Sequence, residues 1–384
     1  MSIVSRRMVF GVAILLVAIN LRPSLAAIGP LLDEIQRSTG LSDASASLLT
    51  SLPTLLMGIC LLGGASIMAA VRGRAGIAIG LAAIAFADFL RWQWPSVSWL
   101  LLSAVIGGLG IALVQALMPT IIRDRLGPRA AGMMGLYSTA IMGGAALASF
   151  AAPRIAPDHG WPAALGVWGM LAIVGLAFWW PASVEQQEPR GRQSGLGIWH
   201  SRRAWLLLAF FGLGTSAYTL VLAWLPPYYT GLGWSASDAG ALLSGLTLAE
   251  VAAGFGVTLA VRHCVDRRPI ILLAVAMLFA GLLSLCLAPL PLAWVAALLS
   301  GLGIGALFPL GLIVAMDHGR DAAEAGRIAS FVQGGGYVLA AFLPLIAGAL
   351  RQHLSDLTPA WALMAGLSLV LALIATRLRP GDTV

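Results

Sequence analysis

Lysine is absent from this 384-residue chain, and charged residues make up only 10% of it. A soluble globular domain carries roughly 25% charged residues, so the composition excludes water as the main solvent of this protein. All 23 basic residues are arginines, and with 16 acidic residues they give a net charge of +7. Because most of the arginines lie in short segments between apolar runs and form no continuous basic face, we expect no nucleic-acid partner.

Cysteine and histidine are also scarce. The three cysteines, Cys60, Cys264 and Cys286, have neither metal-ligand spacing nor a disulfide pattern. All five histidines fall between apolar runs or at their ends, so the runs contain no histidine proton relay and no HExxH metal site. We therefore expect no metal and no cofactor. A polytopic membrane enzyme is the alternative of a different class, and the sequence offers no intramembrane nucleophile or metal set for it.

Long apolar runs are abundant instead. Hydrophobic residues make up 59% of the chain, and the mean hydropathy is +0.90. A helix that crosses the hydrocarbon of a bilayer, about 30 Å thick, needs about 20 mostly apolar residues. Twelve such runs occur, at residues 8–32, 44–70, 75–92, 97–118, 131–152, 162–180, 204–225, 236–261, 270–288, 291–316, 328–350 and 357–376. We predict an all-α membrane protein with twelve transmembrane helices.

A hydrophilic segment at residues 184–203 divides these runs into two sets of six. We predict two six-helix halves, residues 1–183 and 204–384, joined by this segment as a cytoplasmic linker. Arginine is concentrated in alternate connections, on the side of both termini, which indicates cytoplasmic termini in a multi-pass inner-membrane protein. We expect a monomer in the bilayer. In a rival interpretation, residues 5–19 are a cleaved signal peptide, which would remove the first span.

Short sequence patterns recur about 193 residues apart. Gly108–Ile111 (Gly-Leu-Gly-Ile) recurs at Gly301–Ile304, and Gly143–Gly144 recurs at Gly334–Gly335. Glycine-rich membrane helices can produce such matches by composition alone. The matches nevertheless fall on equivalent spans of each half, which favours two halves related by a pseudo-two-fold axis along the membrane normal.

Arg22 is the strongest candidate for a solute site. A charge at a helix centre costs about 2.5 to 3.5 kcal/mol, so charged residues within spans are usually functional. Arg22 follows Asn20 within the first span and precedes Pro23, which predicts a helix break that frees a carbonyl near Ala18 or Ile19. A guanidinium carries five donors and suits a planar or linear small anion. The alternative is a fixed ion pair.

Three further ionisable residues lie within spans. Arg91 has Asp88 three residues before it on the same helical face, so either substrate contact or local ion pairing is open for Arg91. Glu250 has only Leu, Ala, Val and Gly as immediate neighbours. Burial favours the protonated form of a carboxyl group. Glu250 is therefore a candidate proton carrier, or a counter-ion of Arg22, and Asp88 is a second candidate for proton coupling.

Uncharged polar residues supply further predicted substrate contacts. With Asn20, they are Gln115, Tyr218, Trp224 and Gln333. Each of them could instead hydrogen-bond a neighbouring helix.

Two short basic connections are predicted gate loops. Arg72-Gly73-Arg74 follows the second span, and Asp266-Arg267-Arg268 follows the eighth. Both resemble the short basic and acidic motif of the major facilitator superfamily, although the first copy lacks the acidic residue.

Several motifs together resemble the cyanate transporter family of that superfamily, over essentially the whole chain. They are Asn20-Leu21-Arg22-Pro23, residues 107–119, Ala223-Trp224-Leu225-Pro226, Asp266-Arg267-Arg268, Asp317-His318 and Gln333-Gly334. The resemblance implies the major facilitator fold and transport of a small polar solute such as cyanate. In the nitroimidazole-linked branch it implies a small heteroaromatic compound.

The resemblance also bears on individual residues. It implies the same residue types at six candidate positions, namely Arg22, Arg91, Gln115, Tyr218, Trp224 and Gln333. At Asp88 and Glu250 the family pattern has neutral residues.

We therefore expect a secondary active transporter that moves a small polar or anionic solute by alternating access, with Arg22 attracting the solute. Entry of an anion into a negative-inside cell is opposed by about 2.3 kcal/mol per 100 mV, so net uptake needs a coupled proton or an exchanged anion. The alternative is export of small heteroaromatic compounds or drugs, which would favour a larger aromatic cavity with an acidic residue.

Overall fold

The computed structural model describes residues 3–63, 71, 73–182, 198–261, 264 and 266–378, and all regular structure in these ranges is helical. The helices are α1 (Ile3–Ile19), α2 (Pro23–Ala26), α3 (Ile28–Thr39), α4 (Asp43–Leu62), α5 (Gly73–Gln93), α6 (Val97–Leu126), α7 (Ala130–Gly166), α8 (Trp168–Ala182), α9 (Arg202–Gly231), α10 (Ala236–Ala260), α11 (Arg268–Leu287), α12 (Ala293–Asp317), α13 (Ala322–Ala340), α14 (Phe342–Leu354) and α15 (Thr358–Arg377). The predicted all-α membrane architecture is confirmed.

The described helices match the twelve predicted spans. Eleven helical segments are long and apolar enough to cross a membrane, and α8 adds a shorter apolar helix of 15 residues. The shortness of α8 has a local cause. The backbone within α7 leaves the helical conformation at Gly160 (φ 77°, ψ 156°), so residues 161–166 continue towards α8. The sixth span therefore begins close to the predicted residue 162.

Equivalent helices cross in the same way before and after the central segment. A Cβ added to Gly108 on α6 would lie 2.6 Å from the Cα of Pro53 on α4. A Cβ added to Gly301 on α12 would lie 2.4 Å from the carbonyl oxygen of Leu246 on α10. Positions 53 and 246 are 193 residues apart, as are 108 and 301. The sequence repeat thus corresponds to a repeated close approach of the second and fourth spans.

The two sets of helices meet along a few pairs. α4 packs against α13 and α14, α7 packs against α10, and α3 packs against α9. Broken span one therefore lies beside span seven at the centre of the molecule. Large apolar side chains cover the outside, among them Phe86, Leu248, Leu259, Leu287 and Leu373, each more than half exposed. In a membrane protein such a surface faces lipid.

The predicted linker, residues 184–203, falls mostly outside the described residues. Its last part forms a short turn at Ile198–His200 before α9 begins. There the ring of Trp199 packs edge-on against Phe331 of α13, with ring centroids 4.9 Å apart. The boundaries at 183 and 204 stay a prediction.

Candidate functional site

The first span is broken at Arg22. α1 ends at Ile19 and α2 begins at Pro23, with Arg22 as its N-terminal cap. Pro23 has no N–H, so the carbonyl of Ile19 loses its helical partner. Instead, Gly144 of α7 approaches this carbonyl so closely that an added Cβ would lie 2.1 Å from the oxygen. The predicted break is confirmed, and the freed carbonyl is that of Ile19.

The Arg22 side chain is buried among residues of both halves. It is only 5% exposed, and its Cζ lies 5.2 Å from the centre of the Tyr218 ring on α9. Its charge also acts on Tyr137 of α7, Glu250 of α10 and Tyr337 of α13. The guanidinium is therefore placed where helices of the first and second halves converge. We call these five residues the Arg22 site.

Four atoms of the Arg22 site are buried without a hydrogen-bond partner among the described residues. They are Arg22 Nε, Tyr137 OH, Tyr218 OH and Glu250 Oε1. An unsatisfied buried polar group costs about 1–3 kcal/mol, and native proteins contain few of them. One such atom in the guanidinium and three on residues near it indicate a site that water or a polar solute fills.

Glu250 faces Arg22 without forming an ion pair with it. No carboxylate oxygen of Glu250 lies within 4.0 Å of the Arg22 nitrogens, although Glu250 is within electrostatic range of both Arg22 and Tyr218. Gly305 allows α12 to pack closely against the backbone of Glu250, because a Cβ at position 305 would lie 2.2 Å from the Glu250 carbonyl oxygen.

Tyr337 links the Arg22 site to Gln333. The Tyr337 hydroxyl lies next to the side chains of Gln333 and Arg22, and the residue is 2% exposed. Tyr137 and Tyr337 were not among the predicted site residues. The scarcity of tyrosine could have identified them, because the chain has only five tyrosines and three of these lie within spans at this site.

An ion-pair cluster joins the halves on the face opposite the termini. Arg351 of α14 contacts Asp33 of α3 at 3.1 Å and Asp43 of α4 at 3.3 Å. Thr230 of α9 donates to Asp33 at 2.5 Å, and the amide of Ala44 donates to Gln352 at 3.1 Å. We call this cluster the outer latch. It was not predicted, because its partners are about 300 residues apart in sequence.

The sequence of the chain is similar to those of known membrane proteins. The sequence profile of the Major Facilitator Superfamily matches residues 8–326. The chain belongs to the major facilitator superfamily. It is 34% identical to the cyanate transport protein CynX of Escherichia coli K12 over 370 residues, which is 96% of each chain. It is 32% identical to the 2-nitroimidazole transporter of the same strain over 378 residues, which is 96% of this chain and 94% of that one.

Solved structures agree on the fold. The D-xylose-proton symporter superposes with a TM-score of 0.79 at 15% identity, over 98% of this chain and 99% of that one. The predicted major facilitator fold and the resemblance to the cyanate transporter family are thus confirmed, and the protein is a transporter, not an enzyme.

Arg91 and Asp88 of the transporter form a buried local network, in which Asp88 Oδ1 has no hydrogen-bond partner. Arg91 is 1% and Asp88 0% exposed, and their charged groups lie 3.6 Å apart. Arg91 donates to Ser103 Oγ at 2.8 Å and to the Ser24 carbonyl at 2.7 Å. Ser24 Oγ donates to Asp88 at 2.9 Å. The geometry shows local ion pairing and no contact between Arg91 and the Arg22 site.

Three other predicted substrate residues differ in location and in whether their polar groups are free to bind a solute. Both amide hydrogens of Asn20 are engaged, because Nδ2 donates to the carbonyls of Leu16 and Leu171. Trp224 donates its indole N–H to the Pro344 carbonyl and lies under the outer latch, where Arg351 Cζ is 5.4 Å from its ring. Gln115 on α6 has a buried, unpartnered Oε1, but no contact places it beside Arg22.

The predicted gate loops are braced within their own halves. Arg72 lies outside the described residues, and Arg74 donates to the Trp180 carbonyl at 2.6 Å. Arg267 Nε lies 3.5 Å from Asp317 of α12. The Arg268 guanidinium, which donates to Asp266 at 2.7 Å, holds the pKa of that carboxyl below its usual value. None of these contacts crosses between the halves, and the gating role stays a prediction.

Proposed function

We propose that this transporter carries a small, polar, anionic solute of the cyanate type through the Arg22 site. The observation that carries the proposal is the buried guanidinium with a free Nε, placed where both halves meet. An anion there would accept hydrogen bonds from Arg22 and from the Tyr137 and Tyr218 hydroxyls. Charge-assisted bonds of this kind are about twice as strong as neutral ones. A relative over 96% of the chain is named a cyanate transport protein.

We propose alternating access, which the division of the site between the two halves supports. Arg22 and Tyr137 belong to the first half, whereas Tyr218, Glu250 and Tyr337 belong to the second. Rocking of one half against the other would change the distances across the site and expose it to each side in turn. In this structure the outer latch is closed. Opening towards that face requires the latch to break.

Glu250 is the proposed proton site. With an anion on Arg22, an ionised Glu250 would leave the buried site with a net charge of −1, whereas a protonated Glu250 leaves it neutral. A neutral loaded site avoids the opposing energy of about 2.3 kcal/mol per 100 mV for anion entry. We propose one proton carried with each anion.

A small heteroaromatic solute is the second candidate. Three tyrosines surround Arg22, and aromatic faces favour planar ring systems as ligands. Glu250 keeps an unpartnered oxygen that could accept a hydrogen bond from a ring N–H. A relative over 96% of the chain is named a 2-nitroimidazole transporter.

The deciding experiment is transport in proteoliposomes that contain the purified protein, with an imposed pH gradient and protein-free vesicles as background. Labelled cyanate and labelled 2-nitroimidazole are tested in parallel, with acetate as a small anion of different shape. Accumulation of cyanate supports the first proposal. Movement of 2-nitroimidazole without cyanate supports the second, and movement of neither contradicts both.

The placement in the cell is part of the proposal. We propose a monomeric inner-membrane protein, and the arginine distribution favours cytoplasmic positions for both of its termini. Reporter fusions after residues 40 and 384 test this orientation, because only the first should read as external.

A further inference from the structure

The turn that carries Arg22 departs from the regular helical hydrogen-bonding pattern, although the Arg22 carbonyl accepts from the amides of Leu25 and Ala26 at 3.0 and 2.9 Å. The amides of Asn20 and Leu21 reach carbonyls three residues back, at 3.2 and 3.1 Å, and Pro23 has no amide hydrogen to donate. A backbone segment that leaves the regular helical pattern stays fixed only when surrounding groups hold it. The geometry of Arg22 therefore depends on contacts from other helices.

Ser24, two residues beyond Arg22, is held from two directions. Arg91 donates to its carbonyl oxygen at 2.7 Å, and its own hydroxyl donates to Asp88 at 2.9 Å. Arg91 is itself oriented by Asp88 at 3.6 Å and by Ser103 at 2.8 Å. All four residues are at most 3% exposed. We call this set the Ser24 clamp.

A second brace lies on the other side of the turn. Asn20 donates to the Leu171 carbonyl of α8 at 3.3 Å and to the Leu16 carbonyl of α1 at 2.6 Å. The two braces come from α1, α5, α6 and α8, all of them in the first half. These hydrogen bonds all tie the turn to the first half.

We infer that Asp88 and Arg91 are positioning residues, which fix the Arg22 turn to the first half so that the guanidinium moves with that half as one body. The inference rests on the proposed role of Arg22 in solute binding. A buried ion pair is a poor source of stability, since apolar residues of similar volume often replace one without loss. The Asp88–Arg91 pair instead fixes the geometry of the turn. This matters because a small displacement of a binding group such as the Arg22 guanidinium strongly weakens binding.

The test is the double variant Asp88→Leu/Arg91→Met, which removes both charges and leaves neither one unpaired. We expect the KM for labelled cyanate to rise about 10- to 100-fold while the melting temperature stays unchanged. Amide hydrogen exchange in residues 20–27 should become faster, without added solute. Arg91→Lys should have a KM and an exchange rate between those of the wild type and the double variant. A single ammonium cannot reproduce the planar guanidinium that reaches both Ser24 and Ser103.

A matched control removes the Arg123 and Asp124 pair, which is exposed near the end of α6, and should leave both readouts unchanged. A folded double variant with unchanged exchange in residues 20–27 overturns the inference. So does a lowered melting temperature with an unchanged KM in the remaining folded protein, because the pair would then serve stability alone. If the wild-type protein does not transport cyanate, the proposed function fails, while the exchange measurement still decides the role of the clamp.

Discussion

Removal of Arg351 should open the outer latch. Arg351 lies 3.1 Å from Asp33 and 3.3 Å from Asp43, and the three side chains are 19%, 35% and 19% exposed. A hydrogen bond to a charged group contributes about 1.5–3 kcal/mol, and an exposed ion pair about 0.2–1 kcal/mol. Because water screens Asp33 more than Asp43, we take about 2 kcal/mol for the pair of contacts. Its loss shifts the ratio of open to latched molecules about 30-fold.

Spin labels report this shift directly. Cysteines replace the exposed residues Arg37 on α3 and His353 on α14, in a background where the three natural free cysteines are changed to alanine. Pulsed electron resonance then measures the distance between the halves on the latched face. We expect one short distance in the wild-type latch and a longer second population in Arg351→Ala.

The control is Arg154→Ala, since Arg154 is exposed and its guanidinium bonds only its own helix at Phe150 among the described contacts. A folded Arg351→Ala protein whose distance distribution matches that of the control would refute the latch. The same result would remove the argument that this face is closed by ion pairs.

Three further predictions concern the centre of the molecule. Glu250→Gln should abolish the stimulation of cyanate uptake by an imposed pH gradient while cyanate exchange continues, and retained stimulation would exclude Glu250 as the proton site. Gly305→Ala should lower the melting temperature, because its Cβ would lie 2.2 Å from the Glu250 carbonyl, whereas Gly256→Ala meets open space and should not. Tyr337→Phe should raise the KM for cyanate, by loss of a hydroxyl beside Arg22 and Gln333, without lowering the melting temperature; an unchanged KM would remove Tyr337 from the site.

Local signals in the sequence were sufficient for the elements and for the break in the first span. Pro23 removes an amide hydrogen wherever it lies in a helix, so the break at Arg22 needed no knowledge of the neighbours. Twelve apolar runs predict twelve spans in the same way, because the bilayer sets the length of each. The small misfit, the short α8, comes from the left-handed Gly160 within α7.

The partners of Arg22 could not be predicted in this way. Tyr137 and Tyr337 lie on membrane-spanning helices whose residues are mostly apolar on both the lipid face and the core face, so hydrophobic periodicity does not reveal which face points inward. The depth of Trp224 along its helix could not be predicted either. It lies six residues beyond Tyr218 on α9, about 9 Å along the helix, which places it under the outer latch.

Long-range pairing was the other missing information. Arg351 is 318 residues from Asp33 in the chain, and the sequence alone indicates only that it lies in a connection between spans. The pairing of Arg91 with Asp88, by contrast, follows from three-residue spacing on one helix. The structure added Ser24 to this pair, and with it the link to the Arg22 turn.

The most direct test of the account is equilibrium binding of labelled cyanate to the purified protein, with Arg22→Ala and Arg154→Ala compared at equal folded concentration. Arg22 is a buried arginine with a free Nε at the meeting of the halves, whereas Arg154 is exposed. Because charge-assisted hydrogen bonds are lost, the Arg22→Ala protein should bind cyanate about 10- to 100-fold more weakly than the wild type. The affinity of the Arg154→Ala protein should not change. Equal cyanate affinity in the two variants would contradict the assignment of Arg22 as the solute site.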